Sequence, residues 1–148
     1  LNWAKTEYEC IRMPQLEADD VLGILSTSGC YTNFVLVSPD KDMEQIPCRI
    51  YNLKEEFTQT PEQAEYKLYE QCLSGDPVDG YSGIKGIGKK KAQSILNNKE
   101  GTYWDTVLKA FKDHGYKEAD ALKQLRLAKI LHSDNWDYAR ERPILFTP

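Results

Sequence analysis

The chain has 148 residues, 41% of them hydrophobic and 28% charged, with a formal net charge of −4. This is the composition of one folded, soluble domain or two small subdomains, and it excludes a disordered chain. No apolar run approaches the length of a membrane span, and no signal peptide is visible.

Read in chain order, Tyr8–Met13 has the pattern of a short strand ending at Pro14. Helical periodicity starts near Glu17, runs through Val21, Ile24 and Leu25, and stops at Gly29. Asn33–Ser38 is a continuous apolar run of the kind that suits a buried parallel strand, and Arg49–Leu53 is a further candidate. Pro61 opens a helix through Tyr69 and Leu73, with Thr60 as its N-cap. After Gly75 glycines and lysines dominate as far as Lys91. Helices are then expected at Lys89–Leu96, Tyr103–Asp113 and Lys117–Leu131. This order predicts an α/β fold, with part of a sheet and its helices in 1–74 and a helical subdomain in 75–148.

The halves differ in charge. Residues 1–80 carry 6 Lys and Arg against 15 Asp and Glu, whereas residues 81–148 carry 13 against 8. In a nucleic-acid enzyme, bound cations would offset the first half and phosphates would meet the second. Cys10, Cys30, Cys48 and Cys72 are widely spaced and form no Cys-x-x-Cys. This argues against zinc or iron–sulfur ligation and for buried reduced thiols in a cytosolic protein.

Acidic residues gather in three places: Glu17, Asp19 and Asp20 around the first turn of a helix; Asp40 and Asp42 directly after an apolar strand; and Asp76 and Asp79 in Gly-Asp-Pro-Val-Asp-Gly. Each has an ordinary structural use, because acids cap helices and shape turns. Together, at element junctions, they are what a site for hard divalent cations requires. If the extended backbone continues past Ser38, Asp40 and Asp42 face one side. Two-metal phosphodiester cleavage needs several carboxylates from different segments and no histidine. The two histidines, His114 and His132, lie far downstream.

Gly83–Ala92 reads as a hairpin between helices. Gly86 and Gly88 permit positive φ and close backbone approach. Lys89 begins a helix whose N–H groups can meet a phosphate, and Lys85, Lys89, Lys90 and Lys91 add charge. The Walker A pattern is absent. Gly83, Lys85, Gly86, Gly88 and the three consecutive lysines are therefore candidate DNA-backbone contacts.

These residues, in this order, resemble the 5′-nuclease family: flap endonucleases, the 5′-nuclease domain of bacterial DNA polymerases, and phage 5′-exonucleases. The family's Glu-Ala-Asp-Asp stands at Glu17–Asp20, its Asp-x-Asp at Asp40-Lys41-Asp42, its Gly-Asp-x-x-Asp at Gly75–Asp79, and its Gly-Ile-Gly-x-Lys at Gly86–Lys90. Wording in Cys10-Ile11-Arg12, Asp79–Ile84 and Ala128–Leu131 is similar to the podovirus-type phage enzymes. The resemblance implies a PIN-like core, a helix–three-turn–helix DNA clamp, and two Mg²⁺ or Mn²⁺ ions, with K⁺ held by hairpin carbonyls in some relatives. By position, Glu17 and Asp19 would serve the first ion and Asp40, Asp42 and Asp79 the second, with Asp20 and Asp76 acting through water or from further out. Gly80 stands where the family usually has Asn.

The resemblance also implies an N-terminal half that supplies two more aspartates and a basic helical gateway. The first residue is Leu rather than Met, so the sequence reads as the C-terminal portion of a phage or prophage 5′→3′ exonuclease. It would act on duplex or branched DNA in the host cytoplasm and be impaired alone. The alternative is a non-catalytic DNA-binding module with a degenerate nuclease core. A nucleotide-binding α/β domain would need a glycine loop after the first strand, which is not there.

Overall fold

The computed structural model describes residues 2–148. Helix α1 (Asn2–Glu7) is followed by irregular chain and then by α2 (Ala18–Thr27). Strand β1 (Leu36–Val37), a 3-10 turn (Lys41–Gln45), β2 (Arg49–Tyr51) and β3 (Glu56–Thr58) follow. Helix α3 (Pro61–Ser74), α4 (Lys89–Asn97), α5 (Tyr103–Asp113) and α6 (Glu118–Ala128) make up most of the rest. The chain closes with a 3-10 turn (Ser133–Asn135) and the short strands β4 (Trp136–Asp137) and β5 (Arg142–Pro143).

The first sheet has the order β1-β2-β3, with β1 parallel to β2 (Leu36 opposite Ile50) and β2 antiparallel to β3 (Ile50 opposite Phe57). The strand within the apolar run is thus parallel, as expected, but only two residues long. It is buried on one face only, with Leu36 covered and Val37 exposed. The expected strand at Tyr8–Met13 is absent: those residues are irregular, and no described strand lies alongside to satisfy their backbone. Strand β3 escapes the sequence reading because Glu-Phe-Thr is too short to show alternation.

The helices follow local chemistry. Thr60 and Gln63 form a reciprocal capping box that starts α3 at Pro61, and Thr102 with Asp105 does the same for α5. Helix α6 ends at Ala128, three residues before the expected Leu131, because Lys129 is extended. Two apolar clusters result. The larger joins α3 (Leu68, Cys72, Leu73) to Ile84, Ile87, Phe111 and Leu125 from the second half; the smaller joins Leu36, Met43, Ile46 and Ile50 to Ile130. Gly23 makes the docking of α2 possible: a Cβ there would lie 2.2 Å from the Leu131 carbonyl oxygen.

The four cysteines are unpaired, as expected, but only Cys72 is fully buried, while Cys10 and Cys30 are exposed. None of the described helices is long and apolar enough to cross a membrane.

Candidate metal centre and hairpin

The α2 N-terminus, the β1–β2 connection and the loop after α3 converge on one cavity of about 680 Å³, which Glu17, Asp19, Asp20, Asp40, Asp42 and Asp79 line. Asp76 reaches the same group from the side: carboxylate oxygens of Asp42, Asp76 and Asp79 lie within 4.8 Å of one another. All seven acidic residues singled out in the sequence are therefore brought together from segments up to about 60 residues apart.

They are not equivalent. Glu17 occupies the N-cap position of α2 without making a side-chain capping hydrogen bond. Asp19 is half-buried, and its carboxyl titrates above the usual 3.8, through burial first and then the charges of Asp40, Glu17, Asp20 and Asp42. Asp20 commits one oxygen to the Leu131 N–H at 2.9 Å. Asp40 does not continue the strand. It caps the 3-10 turn by accepting the Asp42 N–H at 2.9 Å, so the expected extended Asp-x-Asp is a turn instead. The turn still delivers both carboxylates to the cavity.

Asp42 is half-buried and raised above 3.8 by burial and Asp40, against the opposing charges of Lys41 and Lys67. Asp76 is lowered, chiefly because its carboxylate accepts the Val78 N–H (3.0 Å) and also meets the Lys41 ammonium at 3.4 Å. Asp76 and Tyr81 exchange backbone hydrogen bonds across the loop, so the two aspartates sit on a closed turn.

The hairpin Gly83–Gly88 is attached directly to that turn. Ile84 N–H donates to the Leu73 carbonyl (2.9 Å), and Gly83 N–H donates to the Gln124 side chain (2.9 Å). Gly75 (φ 69°) and Gly83 (φ 56°) cross back to back, and a Cβ on either would fall within 2.5 Å of the other's backbone region. Gly86 has φ 84°, whereas Gly88, expected to share that freedom, is extended at −92° and serves as the N-cap of α4. Lys85, Lys89, Lys90 and Lys91 are all exposed. Lys91 folds back to the Gly86 carbonyl at 3.0 Å, and Lys89 lies 3.7 Å from Glu70.

No family model matches the chain. The exodeoxyribonuclease of Enterobacteria phage T3 is 29% identical, over 97% of this chain and 59% of its own length. The exonuclease of Escherichia phage T7 is 30% identical, over 97% and 60%. The 5′-3′ exonuclease of Mycobacterium tuberculosis (strain ATCC 25618 / H37Rv) is 33% identical, over 78% and 42%. The chain is a relative of the 5′-nucleases of the phage type. It spans about 60% of the length of the phage relatives it matches.

Several residues that organise this carboxylate cluster give no sequence signal. Gln71 donates to Asp42 Oδ1 at 2.8 Å, and its own carbonyl oxygen accepts from Gln45 at 2.7 Å. Gln45, 2% exposed, also donates to the Ala128 carbonyl (2.7 Å) and accepts the Ile130 N–H (3.0 Å). A buried amide chain thus runs from a carboxylate of the cavity to the extended segment after α6. Glutamines at 45 and 71 have no periodic relation, so only the tertiary fold reveals the link. Lys129 lines the same cavity; burial lowers its ammonium to about 8, while Asp134 and Asp20 pull it upward. Lys41, the variable residue of Asp-x-Asp, is the cation nearest Asp76.

Proposed function

We propose that this chain supplies the metal centre and the duplex grip of a 5′→3′ DNA exonuclease that hydrolyses phosphodiesters with two Mg²⁺ or Mn²⁺ ions. The observation that carries this reading is the convergence of seven carboxylates from three separate segments, three of them with oxygens within 4.8 Å. Oxygen-only donors suit hard cations. The mutual repulsion and burial that raise Asp19 and Asp42 mark a cluster short of positive charge, which bound cations would relieve.

Glu17 and Asp19 would hold one ion and Asp40, Asp42 and Asp79 the other. Asp20 and Asp76 already spend oxygens on backbone N–H groups and on Lys41, which suits an outer role. When bound, the ions supply Lewis acidity toward water and toward the leaving oxygen. The protein's own work is positional. Gln71 fixes the rotamer of Asp42, the 3-10 turn holds Asp40 beside it, and the glycine crossing sets Asp76 and Asp79 against the hairpin. Backbone N–H groups at the start of α4 with Lys85 and Lys90 would hold a phosphate strand, and hairpin carbonyls would take K⁺. Residues 1–74 then correspond to a portion of a PIN-like core and 75–148 to a helix–three-turn–helix subdomain. An N-terminal half would add two aspartates and a basic gateway, and the complete enzyme would act on DNA 5′ ends in the host cytoplasm.

Isothermal titration with Mn²⁺ tests the centre. Asp42→Asn with Asp79→Asn should weaken binding at least about tenfold, since two anionic ligands of one ion are lost. Equal binding by the variant would remove the assignment. With 5′-labelled duplex and Mg²⁺, the chain should release little product, and the protein extended by an N-terminal half should release much more.

A further inference from the structure

The cavity that holds the carboxylates also has an apolar part to its lining. Pro143, Ile144, Leu145 and Phe146 line it together with the acids. This segment is pinned at both ends. β5 pairs with β4, Ile144 N–H donates to the Asn135 carbonyl at 2.7 Å, and the Phe146 carbonyl accepts from Arg126 Nε at 3.0 Å. Leu145, between the pins, is 67% exposed, and Ile144 is 48% exposed. Val78, between the two aspartates of the third cluster in sequence, lines the same cavity and is 93% exposed. Lys129 and Arg126 are also on the lining, the Lys129 ammonium 5.6 Å from the Phe146 ring centroid.

A surface leucine alone would mean little. Here two large exposed apolar side chains are held by a strap with defined hydrogen bonds and line the cavity that gathers the acidic clusters. The lining is amphiphilic: carboxylate oxygens, two basic side chains and hydrocarbon all border one space. A nucleotide has the matching division, an anionic phosphate joined to a largely apolar sugar edge and base face.

We propose that the 143–146 strap is the wall against which the sugar and base of the nucleotide at the metal centre pack, with Leu145 as the principal contact. This rests on the metal-centre reading above. Contact of this kind does not read base identity, because every base offers a flat face, so the strap would add affinity without sequence preference.

The test compares two probes on the Mn²⁺-loaded protein by isothermal titration: deoxyadenosine 5′-monophosphate and inorganic phosphate. The unaltered protein should bind the nucleotide about tenfold more tightly than phosphate. Leu145→Ala should narrow that ratio by about three- to tenfold, as expected for losing part of a leucine's buried area, and leave phosphate and Mn²⁺ affinities unchanged. Leu145→Trp, at the same exposed position, should widen it. Ratios unchanged in both variants would overturn the proposal, and so would an unaltered protein that binds Mn²⁺ but does not prefer the nucleotide. A protein that takes no Mn²⁺ would remove the metal-centre reading, and this one with it.

Discussion

Replacing Gln45 with Leu should do disproportionate damage for a change that keeps volume nearly constant. Gln45 makes three side-chain hydrogen bonds in a fully buried position: to Gln71, to the Ala128 carbonyl and from the Ile130 N–H. Leucine fills the space but leaves three partners without water or protein to replace the lost bonds. A stranded buried group costs about 1–3 kcal/mol, so the total loss should be about 3–5 kcal/mol, a large share of a typical domain's stability. Urea denaturation followed by far-ultraviolet circular dichroism should show the midpoint falling by about 2 M, for a slope of about 2 kcal/mol per M. Because Gln71 would lose the anchor that points its amide at Asp42, Mn²⁺ affinity of the still-folded variant should fall severalfold as well. A loss under about 1 kcal/mol would show that the amide chain is incidental and that the two apolar clusters are joined by packing alone.

Two further outcomes are expected. His132 is held near pKa 4 by burial and then by Lys129, against an ordinary 6.5, so it is neutral in the fold and protonates more readily when unfolded. Its contribution, at most about 3 kcal/mol, is complete above pH 6.5 and lost as pH falls through about 4. The raised carboxyls of Asp19 and Asp42 act in the opposite sense, so the measurement is the difference in urea stability between the protein and His132→Gln across pH 4–7.5, which should shrink toward low pH. In the hairpin, Lys89, Lys90 and Lys91 replaced together by Ala should weaken duplex binding equally for unrelated sequences. Since Lys91 and Lys89 have intramolecular partners, the log–log salt slope measured by fluorescence anisotropy should change by about 1 rather than about 3.

Capping chemistry made the helices legible. Thr60-Pro61 and Gly88-Lys89 announce α3 and α4, because the first turn of a helix must satisfy its own N–H groups locally. The acidic clusters were legible for the same reason: they stand at element junctions. What sequence could not give was whatever depends on a partner. Tyr8–Met13 has a strand's pattern but no neighbouring strand, whereas Glu56–Thr58 has little pattern and gains strand geometry from β2. Asp40 turns instead of extending because its own side chain captures the Asp42 N–H. The Gln45–Gln71 chain and the 143–146 strap join positions 26 to more than 100 residues apart, and no local rule relates them.

The crossing of Gly75 and Gly83 has a mechanical consequence. With no side chain at either position, the aspartate turn and the hairpin share one rigid junction. The aspartate turn and the hairpin therefore cannot slide relative to each other. If one is a cutter and the other a clamp, the backbone itself is the gauge between them, and the number of nucleotides from cut to clamp is set by the fold rather than by any residue that touches DNA.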